Sequence, residues 1–106
     1  MLSKTMTIEG VKNAKSIKER VLGLILKGEQ NGLLLKTRFG IHTFGMGRGL
    51  DVLVLNDDNK AVKLKENLKP NGIFIWNPRF SRVLELERGT IRKYKIKLGD
   101  RVLTSN

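Results

Sequence analysis

Residues 50–55 read Leu-Asp-Val-Leu-Val-Leu, apolar at every position except the aspartate. Successive side chains of a strand point to opposite faces of a sheet, so this run predicts a central strand buried on both sides. Asn56-Asp57-Asp58-Asn59 follows, which is turn chemistry. Beyond it the pattern alternates over residues 61–66, with Val62 and Leu64 facing one way and Lys63 and Lys65 the other. Together these segments predict a hairpin whose second strand has a wet, basic face. Residues 33–39 begin apolar and become mixed, residues 73–76 form another apolar run stopped by Asn77-Pro78, and residues 82–87 alternate, with Leu84 and Leu86 opposite Val83, Glu85 and Glu87. Leu98-Gly99-Asp100-Arg101-Val102 reads as a tight turn into a last strand.

Helical periodicity occurs near the N-terminus. Ser16-Ile17-Lys18-Glu19 matches a capping box, Ile17, Val21, Leu24 and Ile25 recur on one face, and Gly28 offers a left-handed stop. Gly89-Thr90 can open a short helical turn near residues 90–94. The predicted class is α+β and mainly β: a compact, curled antiparallel sheet or small β-barrel, one N-terminal helix and that short turn. Closure would remove the exposed edges of such apolar strands.

The chain has 106 residues, which predicts one domain over 1–106. Cysteine is absent, excluding disulfides, thiolate metal sites and a cysteine nucleophile. The first ten residues carry no apolar signal core, and no apolar run approaches the ~20 residues that span a bilayer, so a soluble, cytoplasmic protein is expected, without a membrane partner. Bases outnumber acids 21 to 10, for a net charge of +11, which makes a polyanionic partner physically plausible.

GIHTFGM, LDVLVLNDD, AVKLKENLKP, RVLELERGT and IKLGDRV occur in an order and spacing that resemble the domain of unknown function 192 family, and KERVLGL is similar to its N-terminal segment. The resemblance covers about residues 14–103. It implies a compact, largely β single domain with no established activity, found both in cytoplasmic forms and behind export signals. The family-like polar residues are His42, Thr43, Asp51, Glu85 and Asp100. Two loops depart from the family pattern. Arg48-Gly49 stands where members carry an aromatic and a proline, and Glu87-Arg88 stands where they tend to carry a proline.

A turn through residues 40–49 would bring His42 towards Asp51 at the start of the central strand. A carboxylate beside an imidazole raises its pKa and fixes its tautomer, the minimum for acid–base chemistry. Glu85 would line the same hollow. The structural alternative has His42 on a backbone carbonyl, Asp51 capping the glycine turn and Glu85 solvated. Gly45, Gly47 and Gly49 with Arg48 could form an anion-binding nest, or else a bend where side chains do not fit.

Ser81 lacks a nucleophile-elbow signature, and no reaction is specified, so binding is expected over catalysis. One histidine and no cysteine argue against zinc, and Asp57-Asp58 lacks the spacing of a calcium loop, so no metal or cofactor is expected. The leading expectation is a small binding module holding an anionic small molecule or acidic peptide at His42, Thr43, Arg48, Asp51 and Glu85. The alternative is a nucleic-acid-associated protein whose Lys63, Lys65, Arg92, Lys93 and Lys95 meet phosphates non-specifically. Residues 88–97 carry five cations and no acid, against a solvated-surface reading of the same run.

Overall fold

The apolar run at 50–55 lies near the middle of a five-stranded sheet. The computed structural model describes residues 3–13, 32–38, 40–43 and 49–105. The described strands are β1 (Thr5–Ile8), β2 (Val11–Asn13), β3 (Gly32–Lys36), β4 (Gly40–His42), β5 (Leu50–Leu55), β6 (Ala61–Leu68), β7 (Ile73–Ile75), β8 (Arg82–Glu87) and β9 (Arg101–Thr104). A short helix, α1 (Thr90–Tyr94), lies between β8 and β9.

The main sheet runs β2-β3-β8-β5-β6, and two-stranded pairs β1-β9 and β4-β7 lie apart from it. The β5–β6 hairpin forms as expected, antiparallel from Leu55↔Ala61 to Leu50↔Leu68. A register shift between Val54 and Leu55 breaks the expected alternation, so Val62 packs on the apolar cluster around Phe74 and Trp76 and Leu64 on the one around Leu53 and Leu84. β8 completes the centre, pairing antiparallel with β3 and β5. The pairs β1–β9 and β2–β3 are parallel. These pairs are formed by chain segments far apart in sequence, where local alternation carries no pairing information.

Among the described residues the strands form one open five-stranded sheet and two strand pairs and do not close into a barrel. The five-stranded sheet is instead covered on both faces, which explains why β5 is buried throughout and apolar everywhere but at Asp51. One cluster joins Leu53, Leu55, Leu84 and Leu86 to Ile8 of β1, Ile91 of α1 and Val102 of β9. The other joins Leu50, Val52, Val54 and Val83 to Ile41 of β4 and Phe74 and Trp76 around β7. The helix expected from Ser16 to Gly28 lies outside the described residues. Among the described residues, no helix is long and apolar enough to cross a membrane.

Candidate functional site

Asp51 is fully buried, and its position in β5 alternates with Leu50 and Val52, so it faces the same way as Leu53. Its carboxylate bridges three elements. Oδ1 accepts the Asn67 backbone N–H at 2.8 Å, and Oδ2 accepts those of Gly89 at 3.1 Å and Ile91 at 2.8 Å. α1 has no side-chain cap from its own N-cap residue, the left-handed Gly89. Asp51 therefore supplies the missing acceptor from a strand some forty residues earlier, so the cap has a sequence-distant source.

Thr43 is also fully buried and also structural. Its hydroxyl donates to the Lys69 carbonyl and accepts the Gly72 N–H at 2.8 Å, while its backbone N–H donates to Gly72 at 3.0 Å. It thereby ties the end of β4 to the Lys69–Gly72 turn, where Asn71 takes a left-handed φ of 61°. His42 lies between Ile41, which enters the second cluster, and Thr43. Strand alternation turns its half-buried ring the other way, opposite Ile73 of β7. Asp51 belongs to the opposite face of the main sheet, so the expected His42–Asp51 pair does not form.

Glu85 faces the second cluster, in register with Leu33 on one side and Val52 on the other. It is fully buried rather than solvated, a correction to the surface-strand reading. Alternation in β8 suggests one wet face, whereas strands and apolar clusters flank it on every side. Asp51 and Glu85 thus occupy opposite faces of one sheet. Arg48, Gly45 and Gly47 lie outside the described residues. Gly49 fits the bend reading: a Cβ there would sit 2.5 Å from Asn67 Oδ1 and 2.8 Å from the Leu68 carbonyl oxygen.

Asp100, the remaining buried acid among the described residues, is held by backbone N–H groups of Lys4 at 3.0 Å and Lys97 at 2.8 Å and by the Lys4 ammonium at 3.2 Å. Burial works to raise its carboxyl pKa, but these donors and the Lys4 charge overcome it and hold the group below its ordinary value. Among the described residues, no cluster of three or more His, Cys, Asp or Glu side chains is placed to hold a metal ion.

The basic residues divide between two surfaces. Lys63 and Lys65 pair with Val54 and Val52 and so project on the side of the second cluster. Arg92, Lys93 and Lys95 belong to α1 and its C-cap, on the side of the first. They are all exposed, as are Arg88 and Lys97. Within the described segment 88–97 the one ion pair is a loose one, Arg92 Nε to Glu66 at 3.7 Å. Lys93 lies 5.7 Å from the Tyr94 ring centroid. Lys63 is engaged elsewhere, donating to the Ile75 carbonyl at 2.8 Å and lying 5.0 Å from the Phe74 ring centroid.

One surface was not anticipated. Residues 73–76 form an apolar run, yet only Phe74 and Trp76 enter the core, and Ile73 and Ile75 are each 65% exposed. The signal was the period of two itself: a strand with aromatics at alternate positions has a second face, which needs its own cover to be buried.

The family model DUF192, described as Uncharacterized ACR, matches residues 3–104. Among solved structures, the chain is similar to a candidate transcription regulator from Sinorhizobium meliloti 1021, with 25% identity, a TM-score of 0.68, and coverage of 86% of this chain and 78% of that one. It is also similar in fold to a protein of unknown function from Novosphingobium aromaticivorans DSM 12444, with 20% identity, a TM-score of 0.69, and coverage of 86% and 71%. No curated protein matches the chain.

Proposed function

We propose that this chain, which belongs to the DUF192 family and so to proteins without an established activity, is a basic nucleic-acid-associated protein that meets phosphate backbones through α1 and its flanks. The observation that carries this reading is the run of exposed Arg88, Arg92, Lys93, Lys95 and Lys97 along the segment formed by α1 and its two flanks, without an acid in it. A cationic surface of this kind releases counterions from a polyanion, and that release drives binding without base recognition. Support comes also from the net charge of +11 and from the fold shared with the S. meliloti candidate regulator. Tyr94, 36% exposed beside Lys93, is a single aromatic, which favours backbone tracking over a stacking platform for unpaired bases.

The test is the salt dependence of binding to a labelled duplex. Each neutralised phosphate contributes about 0.9 to the slope of log affinity against log salt. Replacing Arg92, Lys93 and Lys95 together by Gln lowers that slope by about 2 to 3 if each meets a phosphate. Binding that is absent at about 50 mM salt, or indifferent to salt, overturns the reading.

A further inference from the structure

We infer that the outer edge of β7 is a docking site for an extended, acidic segment of a partner protein, which adds to the β4–β7 pair as a third strand. The backbone geometry identifies which groups are available. Gly72 directs its carbonyl at Thr43 N, and a Cβ at Gly40 would sit 2.8 Å from the Phe74 carbonyl oxygen, so Gly72 and Phe74 turn their carbonyls towards β4. By alternation, Ile73 and Ile75 turn their backbone groups the other way. The Ile75 carbonyl accepts from Lys63 Nζ, which is the side expected for an outward-facing group.

Among the described residues β7 pairs only with β4, so its other edge carries no strand there, and beside that edge lies an apolar face. Ile73 and Ile75 project outwards, each 65% exposed, across from His42 and the side-chain-free Gly40. An edge of this kind is a template for another strand, and proteins commonly blunt such edges with lysine. Lys63 holds that post here. An ammonium on a single carbonyl is an exchangeable arrangement, because a carboxylate accepts a stronger, charge-assisted bond. An incoming strand carrying a glutamate or aspartate would draw Lys63 off Ile75, releasing that carbonyl to the new ladder. Main-chain bonds would supply affinity, and the two isoleucines with Lys63 would supply selection.

Charge decides between occupants. A second copy would bring another chain of net charge +11, with its own Lys63 and Lys65, against the same edge. Like charges facing one another are unfavourable, so the complement is acidic and foreign. The surface is also distinct from α1, which lies on the other side of the main sheet. The inference therefore does not depend on the nucleic-acid reading.

The experiment titrates the isotopically labelled full chain with a capped peptide of alternating valine and glutamate, and with its valine–lysine counterpart. The expected result is that the Ile73 and Ile75 amides shift and gain exchange protection with the acidic peptide alone. Lys63→Met weakens this peptide about tenfold, a modest loss for one partner of an interfacial charge pair. Ile73→Thr with Ile75→Thr removes binding while the amide spectrum of β5 and β8 stays in place. Absence of binding, shifts confined to α1, displacement of the peptide by duplex DNA, or self-association through β7 without peptide would each overturn the inference.

Discussion

Asp51 shows how a residue that resembles a catalytic carboxylate can be consumed by architecture. Its two oxygens accept three backbone N–H groups, from Asn67, Gly89 and Ile91. Removing the acceptor orphans the buried Ile91 donor, at a cost of about 1–3 kcal/mol, and also breaks the part-buried bonds from Asn67 and Gly89. Asp51→Ala should therefore destabilise the protein by about 3 kcal/mol or more, read from the denaturant midpoint. Asp51→Asn, which keeps one acceptor oxygen, should lose less. Thr43 provides a parallel case with a sharper control: Thr43→Ser retains the hydroxyl that holds Lys69 and Gly72, whereas Thr43→Val does not and should cost about 1–3 kcal/mol more. Asp100 carries the acid sensitivity. Its folded pKa lies below the unfolded value of 3.8, so its contribution is present above that value and is lost as pH falls through the lower, folded one. Asp100→Asn should flatten the acid limb of the stability curve and leave Lys4 and Lys97 without their charged acceptor.

At the scale of elements, α1 has five residues, too few to stand as an independent helix in water. It exists because Asp51 caps it and Ile91 anchors it in the first cluster. Local opening should follow the same logic. Amides of β5 and β8, covered on both faces, should exchange slowest, and the outward Ile73 and Ile75 amides fastest among the strands. Reversal of that order would mean that the sheet centre has been misidentified. The sequence showed the spans Leu50–Leu55 and Arg82–Glu87 well, the first as a short apolar run closed by turn residues and the second by its alternation. Thr5–Ile8, Val11–Asn13 and Gly40–His42 were not legible: three- and four-residue strands offer too few positions for a period to emerge. The candidate site was legible as a set of residues but not as a geometry. His42, Asp51 and Glu85 stand out by type, yet their directions depend on which face each strand buries, and that is decided by partners distant in the chain. Glu85 is the clearest instance, since its burial arises from β3 and β5 together.

At the scale of the molecule, the excess of positive charge is a force on the folded state as well as on partners. The described ion pairs are few, Lys4 with Asp100 and the loose contact of Arg92 with Glu66. The buried acids Asp51 and Asp100 are engaged mainly with backbone N–H groups, so they do little to balance the exposed cations of β6 and α1. Self-repulsion should therefore outweigh ion pairing, and screening should help the fold rather than harm it. Raising sodium chloride from low to about 0.15 M, where the Debye length shrinks to about 8 Å, should raise the melting temperature by a few degrees. A fall would show that attractive pairs dominate and would weaken the case for a free cationic face. A short duplex at low salt should stabilise the chain further than chloride at matched ionic strength, since it binds the folded surface instead of merely screening it. That increment should vanish in the Arg92, Lys93 and Lys95 to Gln variant and persist when Lys63 and Lys65 are replaced instead. This contrast assigns the polyanion to α1 and leaves the β7 edge, with its lysine guard, to a different partner.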